Sequence, residues 1–154
     1  MEYFSTRDNK IRESFKNILF QGLSKDGGLF LPSYWPSLNI NTLRNKSYEE
    51  LAFTIFNKFI DKEISEEDLI EIINQTYKDF KHPKIAPLVK LDSNKYILEL
   101  FYGPTFAFKD YAMQFLGNLF SYSIKNKNIT ILGATSGDTG AAAIEAFKGK
   151  ENIK

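Results

Sequence analysis

Residues 95–148 alternate between short segments typical of strands and longer segments with helical spacing. Residues 95–101 and 128–134 are rich in aliphatic and aromatic side chains, whereas residues 109–125 and 140–148 repeat apolar or alanine residues every three to four positions. Two consecutive parallel strands need a crossover of this kind, and the crossover is almost always right-handed. The order strand, helix, strand, helix therefore predicts the beginning of a parallel α/β sheet.

Two loops of this predicted sheet lie where α/β proteins usually bind ligands. In a parallel sheet, the loops that follow the strands open at one edge, beside the carboxyl ends of the strands. The first loop ends at Lys109, and the second consists of Thr135, Ser136, Gly137, Asp138 and Thr139. We therefore expect Lys109 and residues 135–139 to face one crevice.

Lys109 is a candidate for covalent chemistry because it begins a predicted helix directly after a loop with a glycine, a proline and two phenylalanines. A helix N-terminus disfavours a positive charge by about 0.3–1 kcal/mol, and apolar surroundings disfavour it further. Both effects favour a neutral amine, which can form a Schiff base with a carbonyl compound. The alternative is a solvated lysine beside Asp110, a carboxylate suited to a first helical turn. The local sequence leaves both interpretations open.

The second candidate is the loop with sequence GATSGDTG at residues 133–140. A strand that enters a turn rich in glycine and hydroxyl groups, and then a helix, offers free backbone amides to a phosphate or carboxylate. The glycine spacing differs from the dinucleotide-binding pattern, and no lysine follows Gly140 as in nucleotide hydrolases. The alternative, equally open, is that Asp138 or Thr139 simply caps the next helix.

The N-terminal half predicts helices after an irregular start. The first forty residues contain several turn-forming residues around a short strand at residues 29–31. Ser47 and Glu50 form a capping-box pattern that predicts a helix from about Tyr48. Ser65 begins a second helix, whose apolar face continues to Phe80.

Two prolines, Pro83 and Pro87, end this helical pattern and mark a boundary near residues 82–90. We predict a mainly helical region at residues 1–88 and the beginning of an α/β domain at residues 89–154. No internal repeat or low-complexity linker separates the two.

Composition narrows the classes of function. Lysine and arginine number 20 against 19 acidic residues, so no overall positive field favours nucleic acid or an anionic membrane. The chain has no cysteine, which excludes thiolate catalysis and cysteine-based zinc sites, and its lone His82 is expected in a surface role. No metal site is predicted. The first ten residues lack the apolar core of a signal peptide and no apolar run reaches membrane-spanning length, so we expect a cytoplasmic protein.

Several motifs together resemble the threonine synthases. Residues 99–110 (ELFYGPTFAFKD) resemble the cofactor-lysine motif of that family, and residues 133–142 (GATSGDTGAA) resemble its second signature. Further similar segments follow the order of the family at residues 3–7, 22–32 and 47–52. Two positions depart from its usual pattern, since Asp8 replaces a glycine and Tyr102 stands where histidine is common; the second could alter substrate contacts.

The resemblance implies a tryptophan-synthase-β-like, fold-type II enzyme that uses pyridoxal 5'-phosphate (PLP). Lys109 would hold the cofactor, and the family's lyase reaction converts O-phospho-L-homoserine and water to L-threonine and phosphate. Residues 135–139 would bind the substrate carboxylate, with Asp138 also near the cofactor ring, and Arg7 is a weaker anion-binding candidate. Lys109 would also carry protons.

Family members are several hundred residues long, so we expect this 154-residue chain alone to be inactive and to hold the cofactor poorly. Two other functions are open. One is a related phospho-lyase that releases a keto acid from the same substrate, and the other is a non-catalytic fragment or assembly domain. The sequence does not indicate an oligomeric state.

Overall fold

The computed structural model describes residues 1–124 and 128–154, which fall into two compact units. Unit 1 comprises Met1–Lys46 and Glu50–Ile70, and unit 2 comprises Ser47–Glu49 and Glu71–Lys154. The chain is a small α/β structure with five α-helices and two small antiparallel sheets in the described ranges. None of the helices in these ranges is long and apolar enough to cross a bilayer.

A three-stranded antiparallel sheet and the first three helices form the N-terminal part of the chain. The elements are β1 (Glu2–Ser5), β2 (Arg12–Ser14), α1 (Phe15–Gln21), β3 (Phe30–Pro32), a short 3-10 helix (Ile40–Leu43), α2 (Tyr48–Ile60) and α3 (Glu66–Tyr77). β1 is central and pairs antiparallel with β2 and β3. The short strand predicted at residues 29–31 is confirmed as β3. The sequence analysis missed β1 and β2, because these strands carry polar and charged residues without regular alternation.

The helices predicted in the N-terminal half are confirmed, with one difference in length. α2 begins at Tyr48, and α3 follows Ser65, whose hydroxyl accepts the Asp68 N–H at 3.1 Å and donates to the Asp68 carboxylate at 2.7 Å. α3 ends at Tyr77 rather than at Phe80, although Phe80 is buried and its N–H donates to the Tyr77 carbonyl at 3.1 Å. The apolar spacing therefore continues beyond the regular helix.

The second half contains a hairpin followed by two helices. Its elements are β4 (Leu88–Lys90), β5 (Tyr96–Leu98), α4 (Asp110–Ser123) and α5 (Asp138–Phe147). The strand predicted at residues 95–101 is confirmed as β5, and the two predicted helices are confirmed as α4 and α5. Lys125, the predicted end of the first of these helices, lies outside the described residues.

The pairing of β5 differs from the expected parallel arrangement. β5 pairs antiparallel with β4, because a tight turn closes a local hairpin in which the Leu91 N–H donates to the Lys95 carbonyl at 2.9 Å. Residues 128–134 form a single parallel bridge, between Ile129 and Ile153 on either side of α5. In the described ranges, residues 128–134 therefore form no regular strand and do not pair with β5.

α4 and α5 pack closely against each other. At Gly117 a Cβ atom would lie 2.5 Å from the carbonyl oxygen of Ala146, so the two backbones approach too closely for a side chain at this point. Leu119 and Ala146 are buried, and the Phe120 and Phe147 rings meet edge to face with 5.7 Å between centroids. This packing fixes α4 relative to α5 and therefore the loops that precede them.

Candidate functional site

The loop before Lys109 is held in place by a buried carboxylate. Asp110 is fully buried, and its two carboxylate oxygens accept the Thr105 N–H at 2.8 Å and the Thr105 hydroxyl at 2.7 Å. A Cβ atom on Gly103 would lie 2.4 Å from the Cβ of Asp110, so only glycine fits at that position. Asp110 thereby fixes residues 103–109 against the start of α4.

Lys109 is the last residue before α4 and already has helical dihedral angles, with φ −61° and ψ −24°. Its Nζ lies 4.5 Å from the centroid of the Phe108 ring, a cation–π distance. Among the described residues, no carboxylate lies within ion-pair distance of this amine. The amine is therefore held by an aromatic face rather than by a counter-ion.

The apolar surroundings expected for Lys109 are present but open to solvent. Phe106 and Phe108 expose 67% and 56% of their surface, respectively. Phe106 also has a positive φ of 62°, which is uncommon for a side chain of this size. The loop therefore presents aromatic surface around the amine instead of burying it.

The second candidate loop is organised by Thr135. Its Oγ1 accepts the N–H groups of Gly137 at 3.3 Å and Gly140 at 3.0 Å. Among the described residues, no acceptor is bonded to the amides of Asp138 and Thr139 in the first turn of α5. Neither Asp138 nor Thr139 caps the helix as one interpretation expected, because both lie inside its first turn and Gly137 is the N-cap residue. The Thr135 hydroxyl instead accepts the Gly140 N–H of that turn.

This arrangement leaves two backbone N–H donors at the start of a ten-residue helix, where the helix dipole also favours an anion. Gly137, by contrast, already gives its amide to Thr135. Ser136 and Asp138 are exposed, and Asp138 places a carboxylate in the first turn. The loop can therefore bind a carboxylate or phosphate through its amides.

A cavity of about 750 Å³ lies beside α5, within unit 2. Its lining includes Thr135 and Thr139 from the second loop and Met113 from α4. Lys109, one helical turn before Met113, does not line it. The structure thus brings the second loop and α4 to one cavity, while the convergence of Lys109 on that cavity stays a prediction.

Three other positions from the sequence analysis have defined contacts. The Tyr102 hydroxyl donates to the Glu99 carboxylate at 2.9 Å, and this bond raises the pKa of Tyr102. The His82 and Tyr102 ring centroids are 4.8 Å apart. Arg7, in unit 1, donates from Nη1 to the Asp26 carbonyl at 2.9 Å, so part of its guanidinium supports a turn.

Sequence reasoning missed the roles of Asp110 and Thr135. Asp110 was interpreted as a first-turn carboxylate, a role that usually leaves the side chain in solvent, whereas it is fully buried. The pattern that could have revealed it is a threonine five residues before the aspartate, with Gly103 two residues earlier. The assignment of Thr135 to substrate binding stays a prediction, and its hydroxyl oxygen has the further role of accepting two amides of its own loop.

Comparison with known proteins gives one consistent result. A family model described as "Threonine synthase N terminus" matches residues 2–77. A threonine synthase from Schizosaccharomyces pombe is 42% identical and aligns with 99% of this chain. The crystal structure of PLP-bound threonine synthase from Brucella melitensis is 44% identical, covers 100% of this chain and superposes with a TM-score of 0.95.

The chain belongs to the threonine synthase family. It spans about a third of the length of the relatives it matches, 32% for the Schizosaccharomyces pombe enzyme and 34% for the Brucella melitensis structure. A "Threonine synthase-like 2" protein from Xenopus laevis is also 42% identical, over 99% of this chain. Overall identity therefore does not separate the threonine synthases from the threonine synthase-like proteins.

The donor groups of this chain fit a covalently held aldehyde cofactor. Lys109 supplies a primary amine with no carboxylate partner among the described residues, and the fixed loop before it limits the positions of its backbone. The described ranges contain no group of three or more histidines, cysteines or acidic residues that could hold a metal ion. The primary amine of Lys109 is the group that is compatible with PLP.

Proposed function

We propose that this chain supplies the cofactor lysine and the carboxylate-binding loop of a threonine synthase, which converts O-phospho-L-homoserine and water to L-threonine and phosphate. The observation that carries this proposal is the amine of Lys109, which has no counter-ion among the described residues and whose backbone lies at the start of α4, beside the loop held by the buried Asp110. The match to the PLP-bound Brucella melitensis enzyme over the whole chain supports the cofactor.

Each part of the site has a separate task in this proposal. When bound, PLP withdraws electrons from the substrate, so that protons can leave Cα and Cβ and phosphate can leave Cγ. Lys109 holds the cofactor and, once its amine is released, carries the protons, since a neutral amine is an effective base. Asp110 is a positioning residue that holds the loop at residues 103–109 in place.

The second loop orients the substrate. The free amides of Asp138 and Thr139 bind the substrate carboxylate, and Ser136 and Gly137 shape the turn around it. Thr135 holds the turn closed through its two hydrogen bonds. The resemblance to the family implies that Asp138 would also lie near the cofactor ring. A carboxylate fixed at one end of the substrate sets the position of Cα relative to Lys109.

The architecture proposed for the enzyme is a tryptophan-synthase-β-like PLP fold, with a parallel sheet that begins within residues 89–154 and a separate N-terminal region at residues 1–88. The crossover from Ile129 through α5 to Ile153 is compatible with such a sheet. A cytoplasmic location is also part of the proposal, and it rests on the sequence alone.

The related phospho-lyase activity is the second candidate, because the Xenopus laevis threonine synthase-like protein is as similar to this chain as the Schizosaccharomyces pombe enzyme. The two activities share a substrate and differ in product. Threonine indicates the first, and a keto acid indicates the second.

The test joins residues 1–154 to the remaining two thirds of the Brucella melitensis threonine synthase and measures products from O-phospho-L-homoserine. We expect threonine from this chimera, a loss of at least about 10³-fold in Lys109→Ala, and no threonine from the 154-residue chain alone. Lys95→Ala, in the β4–β5 turn, is the matched control and should retain activity. A folded chimera that forms neither threonine nor keto acid would contradict the enzyme assignment.

A further inference from the structure

A second cavity in unit 2, of about 560 Å³, is lined mainly by polar side chains. Its lining comes from the residues around the end of α3, from Pro104 in the loop before Lys109, from α4, and from the end of α5 and the turn that follows it. It shares only Lys148 with the cavity beside α5 and does not include Lys109 or Asp138. It is therefore separate from the proposed catalytic groups.

Positive charge exceeds negative charge around this cavity. Four lysines line it, Lys78, Lys81, Lys148 and Lys150, against two carboxylates, Asp79 and Glu145. Two of the lysines are held by neutral oxygens, since the Lys78 Nζ donates to the Gln75 side-chain oxygen at 2.8 Å and the Lys150 Nζ donates to that of Asn118 at 2.7 Å. Their charges remain without a counter-ion among the described residues.

The environment of Lys150 reflects this excess of charge. Burial lowers the pKa of Lys150, and the positive charge of Lys78 lowers it further. The oxygen of Asn118 that binds Lys150 is itself oriented, because the Asn118 amide group donates to the Thr76 hydroxyl at 3.1 Å, and that hydroxyl donates to the Ile72 carbonyl at 2.7 Å. The ammonium is thus positioned by a chain of three hydrogen bonds.

An unpaired donor lies buried behind the wall of this lysine-lined cavity. Gln114, on α4, contributes to the lining, and its Nε2 atom is buried without a hydrogen-bond partner in the described ranges. A buried donor without an acceptor costs about 1–3 kcal/mol. The partial negative charge at the C-termini of α3 and α5 explains why lysines lie near those helix ends. It does not explain the unpaired side-chain amide of Gln114 on α4.

We propose that this lysine-lined cavity binds a phosphate group, either free phosphate or the phosphate of a small metabolite. A phosphate would give Lys78 and Lys150 the counter-charge that neutral oxygens do not supply. Rotation of the Gln114 side chain would then bring its buried, unpaired amide to the same phosphate. The proposal does not rest on the proposed threonine synthase activity, since none of these residues has a part in that reaction.

The test follows the amide signals of the 154-residue chain by NMR while inorganic phosphate is added, with sodium chloride at equal ionic strength as the reference. We expect saturable shifts at the Gln114 side-chain amide, Asn118 and Lys150. Lys150→Gln should weaken binding about tenfold, as should Gln114→Glu, which replaces the donor with a like charge. Lys25→Gln, an exposed change in unit 1, is the control and should leave binding unchanged.

A parallel titration with glycerol 3-phosphate identifies the source of the phosphate. Tighter binding than that of inorganic phosphate supports a phosphorylated metabolite, and equal or weaker binding supports free phosphate. Shifts that chloride reproduces, or equal weakening by Lys150→Gln and Lys25→Gln, would overturn the proposal. If Lys150→Gln does not fold, the Gln114→Glu variant decides the question, and unchanged phosphate binding in that variant would overturn the proposal.

Discussion

At the scale of single residues, Asp110 decides the geometry of the candidate cofactor site. Its carboxylate satisfies both the backbone and the hydroxyl of Thr105 and leaves no room for a side chain at Gly103. Lys109 stands between this anchored loop and the first turn of α4. The position of the amine therefore depends on a neighbour that need not touch the substrate.

Asp110→Ala should lower the free energy of unfolding by about 2 kcal/mol, because two donors of Thr105 lose their acceptor. Urea denaturation of the 154-residue chain measures this change. Glu71→Ala, an exposed acidic position on α3, is the control and should stay within about 0.5 kcal/mol of the parent. Equal stability of the two variants would show that Asp110 does not anchor the loop.

At the scale of elements, the sequence predicted helices better than strand partners. α2 and α3 carry local cap and periodicity patterns, and these determine where they begin. The pairing of β1 with β2 and β3 joins residues up to about thirty positions apart and leaves no local pattern. β5 was recognised as a strand, but its antiparallel partner β4 was not, because three exposed residues carry little periodicity.

The difference between local sequence patterns and contacts between distant residues also explains which features of the candidate site were predicted. Lys109 and residues 135–139 were found because their motifs resemble a family and because both precede helices. The buried state of Asp110 and the capping role of Thr135 depend on how the backbone folds around them. Such contacts follow from tertiary structure rather than from residue spacing.

The contact between α4 and α5 predicts the effect of adding one methyl group. Gly117→Ala should destabilise the chain by about 1–3 kcal/mol, because the new Cβ overlaps the Ala146 carbonyl, although alanine favours a helix by about 1 kcal/mol over glycine. Thermal or urea unfolding measures the change. Ser121→Ala, exposed on the same helix, should be neutral or slightly stabilising. A stabilised Gly117→Ala variant would mean that the helices do not approach this closely.

At the level of the whole chain, each compact unit contains a tyrosine whose burial opposes ionisation. Burial raises the pKa of Tyr3 in unit 1 to about 12, with nearby Glu63 and Asp61 adding to the effect. In unit 2, burial raises the pKa of Tyr111 to about 12 and also raises that of Tyr77. These phenols favour the folded state only while they remain protonated.

The stability of the chain should therefore depend on alkaline pH. A pKa raised above the unfolded value of about 10 gives stability that is complete below pH 10 and is lost as the pH rises towards about 12. Urea unfolding at a series of pH values from 8 upwards should show a decline that starts near pH 10 and accompanies tyrosinate absorbance. Phenylalanine in place of Tyr111 should reduce the pH dependence. A constant free energy of unfolding up to about pH 12 would contradict the burial of these rings.

The lysine to which the cofactor is attached can be identified directly, and this tests whether Lys109 holds it. The chimera with the Brucella melitensis enzyme is incubated with PLP, reduced with borohydride, digested and mapped by mass spectrometry. We predict a pyridoxyl group on the peptide that contains Lys109 and its loss in Lys109→Ala. A pyridoxyl group fixed to another lysine, or no adduct in a chimera that binds PLP, would contradict the assignment of Lys109.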